Sequence, residues 1–338
     1  MGVQIALLYN LAEEEILGAD DPPDRQAELD SDQTVFAIRE SLQAAGHQVR
    51  LIAGKLPELL QLQTDRVDIA FNICEGYHGR NREAHVPAVL EMLGVPMTGS
   101  DVLTLAACLD KPTTKMLLLH HRVPTPRFQV FYSALDVLDD SLRWPLIVKP
   151  AHEGSSMGIS SKSRVTNEAE LRERVAYLKR HYRQPALVEE FIVGREFTVG
   201  VLGNGELTTL PVMEISFDNV PAEANGIYSY QYKREWTERG NFLCPAPIDE
   251  FTGHLLAETA KLAFRVLGCR DFGWVDFRLS QDGIPYVIEV NPLPGLAPGY
   301  SDFPVAAQAG GISYGQLINL ILNHALERYQ IRTQLLHA

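Results

Sequence analysis

The sequence has few features of a nucleic-acid-binding, membrane or secreted protein. Basic residues are outnumbered, with 30 Lys and Arg against 43 Asp and Glu, and the formal net charge is −13. A phosphate backbone is usually met by a basic face, so no nucleic-acid partner is expected. No stretch approaches the roughly 20 apolar residues of a membrane span, so no membrane partner is expected either. The first ten residues lack a basic region and a cleavage site, which predicts a strand rather than a signal peptide.

Cysteine is scarce and is placed without pattern. The four cysteines are widely spaced and include no C-x-x-C pair, which argues against both a structural zinc site and a disulfide framework. We expect them to be reduced, buried small hydrophobic residues in a cytoplasmic protein. The 338 residues are 46% hydrophobic and 22% charged, enough to bury a large core in two or three domains.

The first hundred residues alternate strand-like and helix-like segments, which predicts a parallel α/β unit. The acid- and proline-rich stretch 11–33 is longer than an ordinary loop between a strand and a helix. Long loops at the carboxyl end of a first strand are often functional. Strands are predicted at 3–9, 48–52 and 68–73, and helices at 34–45 and 82–93.

From residue 109 the pattern changes to α+β. Helices are predicted at 111–121, 167–181, 250–267 and 314–330, and strands at 128–131, 146–149, 187–191, 196–202, 207–215, 273–279 and 285–290. We expect three units: a parallel α/β domain over 1–108, a subdomain with a phosphate loop over 109–186, and a subdomain with a metal site over 187–338.

The most informative polar group lies near the end of the chain. Asp276 occurs in FGWVDFRLS, and Glu289 and Asn291 follow in YVIEVNPLPG. If these runs are antiparallel strands joined by the turn at 280–283, the three side chains can meet at one end of the ribbon. Two carboxylates and an amide around an open site suit Mg²⁺, which takes substrate phosphates as further ligands. Alone, E-x-N fits a solvated surface hairpin better, but the apolar flanks indicate burial and hence a partner.

A second signal is LIVKPAHEGSSMGIS, residues 146–160. Lys149 ends an apolar strand, and a loop of Gly and Ser follows. Backbone N–H groups in such a loop can hold phosphate oxygens, and the lysine adds a positive charge. The G-x-x-x-x-G-K-[ST] pattern is absent, so this is not a Walker loop. Taken alone, the segment fits an ordinary hairpin turn equally well.

Three further residues fit a polyphosphate or nucleoside. Lys111 in CLDKPTTK and Lys233 in YSYQYKREW could contact phosphates, although a lone lysine is usually solvated. The run LVEEFIVGREF, 187–197, could offer backbone groups to a base and Glu196 to a ribose; the plainer interpretation is an edge strand.

Taken in order, these motifs resemble the D-alanine:D-alanine ligase family of the ATP-grasp superfamily, over roughly residues 68–320. The matching segments are EMLGVPMTGSDVLTLAACLDK (91–111), VPTP (123–126), VKPAHEGSSMGIS (148–160), VEEFIVGREFTV (188–199), YSYQYK (228–233) and GWVDF…YVIEVNPLPG (273–295). The resemblance implies a mixed α/β and α+β protein, with an ATP-grasp fold behind a Rossmann-like N-terminal α/β domain. It also implies ATP, two Mg²⁺ ions with Mn²⁺ as an alternative, amino-acid and acid substrates, and a homodimer through the N-terminal domain.

In such ligases a carboxylate attacks the γ-phosphate to give an acyl phosphate, which an amine then converts to an amide. Phosphoryl transfer of this kind depends on charge neutralisation and positioning. By motif, the resemblance implies that phosphate is contacted by Lys111, Lys149 and the loop residues Glu153, Gly154, Ser155, Ser156 and Gly158, and that Lys233, on a mobile loop, contacts the transferred phosphate. It implies adenine contact by Glu189, Phe191 and Ile192 and ribose contact by Glu196. It implies metal binding by Asp276, Glu289 and Asn291.

Four departures from the family pattern fall in the substrate pockets. The first concerns the ammonium of the first substrate, for which only Glu28 or Asp30 is a plausible partner. The second is Arg234, which follows Lys233 where the family has a tyrosine within reach of the serine matched by Ser155.

The third departure is Trp274, which stands where the family has an arginine that stabilises the tetrahedral intermediate. An indole lacks the charge and the donors of a guanidinium, so Arg234 or Arg278 is a candidate replacement. The fourth is the tail after Gly295, one residue longer than the family pattern, in which Tyr300 and Ser301 are candidates for the second substrate's carboxylate.

The leading hypothesis is therefore an ATP- and Mg²⁺-dependent carboxylate–amine ligase with an altered acceptor pocket, such as a biosynthetic amino-acid ligase acting on a mycosporine-type scaffold. A divergent but authentic D-alanine:D-alanine ligase of peptidoglycan precursor synthesis is the first alternative. A nucleotide-binding regulatory protein without turnover is the second, and the intact set Asp276, Glu289 and Asn291 argues against it.

Overall fold

The computed structural model describes residues 2–12, 22, 24–218, 226–229 and 241–331. Lys233 and Arg234, both predicted as site residues, lie outside the described residues. The strands of the described residues form three sheets, and the cleft discussed below is bounded by segments from all three units.

The N-terminal sheet has the strand order β2–β1–β3 and is parallel throughout, as predicted. Its central strand buries both faces because successive side chains alternate. Ile5 and Leu7 pack into one apolar cluster, whereas Ala6 and Leu8 pack into another. The elements of this part are β1 (Gln4–Tyr9), α1 (Asp32–Ala44), β2 (Gln48–Ala53), α2 (Leu56–Leu59), β3 (Ile69–Asn72), α3 (Arg82–Leu93) and α4 (Val102–Leu109).

The second sheet is antiparallel, with the order β4–β7–β5–β6. Helix α6 covers it, burying Leu171, Val175 and Leu178 against Val148 and Val188. Asn167 caps this helix by accepting a hydrogen bond from the Glu170 N–H, 3.0 Å. The elements are α5 (Lys111–His120), β4 (Phe128–Phe131), β5 (Leu146–Pro150), β6 (Arg164–Val165), α6 (Glu168–His181) and β7 (Ala186–Glu190).

The third sheet is also antiparallel, with the order β11–β10–β8–β12–β13 and β9 paired to β8. Strands β8 and β12 pair along ten residues each and form its centre. The elements are β8 (Gly194–Gly203), β9 (Leu207–Thr209), β10 (Met213–Ile215), β11 (Phe242–Leu243), α7 (Glu250–Val266), β12 (Asp271–Ser280), β13 (Pro285–Asn291), α8 (Asp302–Ala309) and α9 (Tyr314–Arg328).

The prediction of one continuous strand over 207–215 was wrong. Residues 207–215 form two strands, β9 and β10, because Pro211 has no N–H to donate to a ladder. The Leu210 N–H still donates to the Gly200 carbonyl, 2.9 Å. Strand β8 therefore pairs with β9 near its end and with β10 near its start.

Asp271 joins the N-terminal unit to the third sheet and to the last helix. Its side chain is fully buried, accepts the Gly99 N–H at 2.8 Å and pairs with Arg328 at 2.7 Å. Arg328 also donates to the Met97 carbonyl, 2.9 Å. These contacts fix the walls of the cleft relative to one another.

All four cysteines are free, and three of them are buried, as predicted; Cys244 is only half-buried, so its predicted burial was wrong. None of the helices in the described part of the chain has the length and apolarity needed to cross a membrane.

Candidate active site

A cleft of about 460 Å³ lies between the loop after β5, the strands β7, β8, β12 and β13, and the loop before α1. Most of the residues singled out from the sequence line it. They are Glu28, Asp30, Lys149, Ser155, Ser156, Glu189, Phe191, Ile192, Glu196, Trp274, Asp276, Arg278, Glu289, Asn291, Gly295, Tyr300 and Ser301.

Four of the predicted residues that the structure describes do not line this cleft, and one of them, Gly158, also lines neither of the two smaller cavities. Lys111 and Gly154 line a smaller cavity that shares Glu28, Ser155 and Glu289 with it. Glu153 faces a separate cavity of about 240 Å³ on the other side of the loop.

The predicted hairpin of oxygen-bearing side chains is present. Strands β12 and β13 are antiparallel, with Asp276 opposite Glu289 and Trp274 opposite Asn291. A register shift after Asp276 leaves Ile288 without a direct partner. The two carboxylates and the amide therefore reach the same region of the cleft.

The surroundings of Asp276 disfavour its negative charge in the absence of a nearby cation. Burial, and then the negative charge of Glu289, raise the pKa of Asp276 to about 8. Thr198 donates to Asp276 Oδ1 at 2.6 Å and opposes part of this rise. A divalent cation beside both carboxylates would relieve their repulsion, and oxygen donors suit Mg²⁺. The described residues contain no cluster of three or more His, Cys, Asp or Glu able to hold a metal alone, so Asn291 or a substrate oxygen must contribute.

Three lysines and two glutamates form two separate sets of ion pairs at this hairpin and beside it. Lys111 Nζ lies 2.8 Å from Glu289 Oε2, while Lys149 and Lys115 lie 2.6 Å and 2.7 Å from the two oxygens of Glu189. We call Lys111, Lys115 and Lys149 the lysine cluster. Burial alone would raise the pKa of Glu189, but the two lysines reverse this and hold it below its usual value. Glu189 is thus a buried anion that orients Lys149 toward the cleft.

Arg278 holds the predicted ribose residue. Its guanidinium pairs with Glu196 at 2.6 Å and donates to the Gly226 carbonyl. Its charged group also lies over Phe191, 4.6 Å from the ring centroid. Arg278 therefore belongs to the wall formed by residues 191–196, and in this structure its partner is a carboxylate on that wall.

The loop over 153–158 has a constrained backbone. Ser155 and Ser156 have positive φ angles of 45° and 60°, and Gly158 has a φ of 69°. A Cβ at Gly158 would lie 2.4 Å from Pro150, and one at Gly154 would lie 2.3 Å from Glu28 Oε1. Such a conformation persists only where surrounding contacts determine it.

Those contacts come from the N-terminal loop. Glu28 Oε1 accepts the Gly154 N–H at 2.7 Å, and Asp24 Oδ2 accepts the Gly158 N–H at 2.8 Å. Tyr182 donates to Asp24, 2.9 Å. On the opposite side, Ser156 Oγ donates to the Tyr228 carbonyl at 3.2 Å. The loop is held across the cleft from both sides.

Arg82 connects Glu28 to Glu153. It pairs with Glu28 at 2.6 Å and with Glu153 at 3.0 Å, and it donates to the His152 carbonyl at 2.9 Å. Glu153 also accepts from Gln184 at 2.6 Å. Glu28, predicted as a ligand of a substrate ammonium, therefore already uses both oxygens to position the loop.

Four carboxylates gather where the N-terminal unit meets the cleft. We call Glu28, Asp30, Glu75 and Glu83 the acidic cluster. Burial raises the pKa of Asp30 to about 7. Burial, then repulsion by Glu28, raises that of Glu83 to about 8. Burial, then repulsion by Glu83, Glu28 and Asp30, holds the pKa of Glu75 well above its ordinary value.

The predicted second-substrate residues lie at the other end of the cleft. Trp274 is only 6% exposed and packs edge-on against Phe303, with ring centroids 5.8 Å apart. Ser301 Oγ accepts the Ala297 N–H at 3.1 Å and lies close to Gly295. Tyr300 is 52% exposed. This wall offers an aromatic surface where the family pattern has an arginine.

Sequence reasoning missed Arg82, Lys115, Glu75, Glu83 and Thr198. Lys115 could have been predicted from the sequence, because it follows Lys111 by four residues in one helix and so lies on the same helix face. Glu75 had a weaker signal, because it follows a parallel strand whose carboxyl end meets that of β1. No local signal identifies Thr198, whose role depends on the pairing of β8 with β12.

Comparison with known proteins gives the family of the chain. The family model described as "D-ala D-ala ligase C-terminus" matches residues 120–323. The D-alanine–D-alanine ligase of Bordetella petrii is 35% identical over 295 residues, 85% of this chain and 85% of that protein. The Sinorhizobium fredii "Uncharacterized protein y4sG" is 37% identical over 301 residues, 87% of each chain.

Solved structures agree on the fold. The crystal structure of D-alanine–D-alanine ligase from Bacillus anthracis complexed with ATP superposes with a TM-score of 0.73 at 22% identity, covering 97% of this chain and 99% of that one. Members of the family use ATP and a divalent metal ion. The chain thus belongs to the D-alanine–D-alanine ligase family, has the ATP-grasp fold, and is an ATP-dependent ligase that forms carbon–nitrogen bonds.

Proposed function

We propose that this chain uses ATP to activate the carboxylate of one small molecule and joins it to the amine of an amino acid, with an acceptor other than a simple D-alanine. A biosynthetic amino-acid ligase, of the kind that acts on a mycosporine-type scaffold, fits this description. The regulatory alternative is set aside because the family is one of enzymes.

One observation carries the proposal: Lys149, Asp276, Glu289 and Asn291 line one cleft next to the 153–158 loop. Lys149 lines this cleft and Lys111 lines the adjoining cavity, and both would contact phosphate oxygens. Asp276, Glu289 and Asn291 would hold one or two Mg²⁺ or Mn²⁺ ions, which neutralise phosphate charge. Glu189 keeps Lys149 oriented, and the 191–196 wall with Glu196 would receive the nucleoside.

The 153–158 loop would exclude water from the reacting groups. Its N–H groups at Gly154 and Gly158 are bound to Glu28 and Asp24, so its position depends on the N-terminal unit. An acyl phosphate hydrolyses when water reaches it, so a closed loop favours attack by the amine. Ser155, with a strained backbone, lies at the centre of this loop and is a candidate catalytic residue.

Trp274 supports an altered acceptor. A guanidinium presents five N–H donors and a fixed charge, and an indole presents one donor and no charge. In this chain the indole lies against Phe303. Arg278 is engaged by Glu196, which leaves Arg234 as the remaining candidate to stabilise the oxyanion.

The alternative is an authentic D-alanine–D-alanine ligase. The Bordetella petrii relative carries that name, and its similarity covers 85% of this chain. In that case Trp274 and Arg234 would be tolerated in the standard reaction.

We further propose a cytoplasmic homodimer that associates through the N-terminal unit, with the three units divided near residues 108 and 186. Met92 on α3 and Leu103 on α4 are 87% and 77% exposed, and these two helices pack against each other. Light scattering should give twice the chain mass, and Met92→Lys with Leu103→Glu should reduce it to the chain mass. A wild-type monomer would remove the dimer proposal.

The test of function is ADP release from ATP and Mg²⁺ with D- and L-amino acids, singly, in pairs and with carboxylate scaffolds. We expect turnover that depends on an added acceptor, with poor use of D-alanine alone. Trp274→Arg should raise D-alanine use several-fold, and Phe251→Arg, at a 75% exposed aromatic, should not. Absence of ADP release under every condition would contradict the proposal.

A further inference from the structure

Arg174 is a buried cation that the proposed chemistry does not use. It lies on the same face of α6 as Leu171 and Leu178 and is only 6% exposed. No carboxylate forms an ion pair with it in the part of the chain that the structure describes, and its Nε atom has no hydrogen-bond partner there. A buried guanidinium without an ion pair destabilises a fold, so such a residue is expected where it serves a function.

The polar partner of Arg174 is the 153–158 loop. Its Nη2 atom donates to the carbonyl oxygen of Gly158, the last residue of that loop. The guanidinium also lies over the ring of Tyr177, about one turn further along α6, 4.7 Å from the ring centroid. Arg174 therefore connects the helix that covers the second sheet to the backbone of the loop.

The other main-chain polar group of Gly158 is held as well. Its N–H donates to Asp24 Oδ2 at 2.8 Å, and Asp24 also accepts a hydrogen bond from the Tyr182 hydroxyl at 2.9 Å. Burial, and then the charge of Asp24, raise the pKa of Tyr182 well above its ordinary value, so the hydroxyl stays protonated and remains a donor. We call Asp24, Arg174 and Tyr182 the Gly158 anchor.

The Gly158 anchor fixes the end of the loop beside its beginning. Gly158 has a φ of 69°, and a Cβ there would lie 2.4 Å from Pro150, the residue that follows Lys149. The same Cβ would lie 3.1 Å from the Tyr182 ring. The chain thus leaves β5 after Lys149 and returns to contact Pro150, so a displacement of Gly158 would move the loop relative to Lys149.

We propose that Arg174 is a positioning residue for the reaction: together with Tyr182, which acts through Asp24, it holds Gly158 where the 153–158 loop can contact the phosphates of ATP. This inference rests on the proposed function, in which that loop closes over the reacting groups. None of the three residues of the Gly158 anchor lines the substrate cleft, so they act through the loop and not by touching the nucleotide.

The experiment compares a non-hydrolysable ATP analogue, with Mg²⁺, with AMP, which lacks the two outer phosphates. Both are titrated calorimetrically into the full chain and into Arg174→Met, which removes the guanidinium but keeps a long unbranched side chain. Loss of a hydrogen bond from a charged donor should weaken binding of the analogue about tenfold, whereas binding of AMP should change by no more than about twofold. Equal weakening of both nucleotides would show a general structural role and overturn the inference, as would unchanged binding of the analogue.

Two further variants sharpen the result. Arg174→Lys keeps a charged donor and should restore binding of the analogue to within about threefold of the wild type. Tyr182→Phe removes the hydroxyl that orients Asp24 and should weaken the analogue about threefold, with binding of AMP unchanged. Arg180→Met, on the exposed face of α6, is the matched control and should bind both nucleotides as the wild type does.

Circular dichroism checks that each variant is folded. If Arg174→Met does not fold, Tyr182→Phe decides, and unchanged binding of the analogue by folded Tyr182→Phe overturns the inference. ADP release by the wild type, measured separately, tests the proposed function. If ADP is released and the variants bind the analogue normally, the proposed function stands and the inference fails. If the variants lose the analogue selectively and the wild type releases no ADP, the inference stands and the proposed function fails.

Discussion

The lysine cluster and the acidic cluster lie at neighbouring parts of one cleft, but their charges are balanced differently. Each lysine of the first pairs with a glutamate within 2.8 Å. In the second, Glu28 pairs with Arg82, whereas Asp30, Glu75 and Glu83 have no ion pair among the described residues. Every lysine of the lysine cluster has an ion-pair partner without substrate, whereas three of the four carboxyl groups of the acidic cluster have none among the described residues.

This difference separates the common chemistry of the cleft from its selectivity. Paired charges hold side chains in fixed positions, as the transfer of a phosphoryl group requires. Buried carboxyl groups with raised pKa values are largely protonated near neutral pH in the free protein, and a cationic ligand group favours their charged form. The lysine cluster and the hairpin next to it therefore fit ATP, and the acidic cluster fits the amino-acid substrate.

The largest expected effect is at the metal hairpin. Glu289→Gln should lower ADP formation at least about a hundredfold, because it removes a charge that both the metal and Lys111 require. Asp282→Asn, in the exposed turn of the same hairpin, is the matched control. Circular dichroism should show both variants folded, and a folded Glu289→Gln with normal turnover would remove the metal assignment.

A smaller effect is expected at Lys149. Lys149→Ala should raise the KM for ATP about tenfold, and kcat should fall by no more than that, because a phosphate contact is lost while Lys115 still neutralises Glu189. Lys162→Ala, on the surface after the same loop, is the control. Initial rates against ATP concentration measure both variants; unchanged ATP kinetics in Lys149→Ala would exclude the phosphate role.

The contact between the acidic cluster and the loop can be broken at Gly154. Gly154→Ala adds a methyl group that would lie 2.3 Å from Glu28 Oε1 and should displace the loop. The KM for ATP should rise roughly three- to tenfold. Gly253→Ala is the control, because the nearest atom to its Cβ is 3.7 Å away. If Gly154→Ala binds ATP like the wild type, Glu28 does not position the loop.

The smallest effect concerns stability rather than rate. Burial raises the pKa of Asp30 to about 7, so the folded chain binds more protons than the unfolded chain between about pH 4 and pH 7. Stability contributed by this group therefore falls as pH rises through that range. Asp30→Asn should gain on the order of 1 kcal/mol over wild type at pH 8 and little at pH 5.

The measurement is the urea midpoint of unfolding at both pH values, with the exposed Asp140→Asn as control. A gain at pH 5 equal to that at pH 8 would show that the pKa of Asp30 is not raised in the folded chain.

The sequence predicted the parallel N-terminal sheet and the hairpin of Asp276 and Glu289, because both depend on local periodicity and turn residues. It could not predict that Glu28 binds the Gly154 N–H, 126 residues away in sequence, or that Arg82 joins Glu28 to Glu153. It also missed the pairing of Arg278 with Glu196, which follows from the register of β8 against β12. The unpredicted part of the site is the part assembled by long-range packing.

The chain is an ATP-dependent ligase of this family, and we propose that its acceptor differs from D-alanine. The most direct measurement is mass spectrometry of the products formed from ATP, Mg²⁺ and an equimolar mixture of D- and L-amino acids, with and without carboxylate scaffolds. We predict ADP together with an amide product other than D-alanyl-D-alanine. D-Alanyl-D-alanine as the dominant product would contradict the account and identify the chain as a cell-wall precursor ligase.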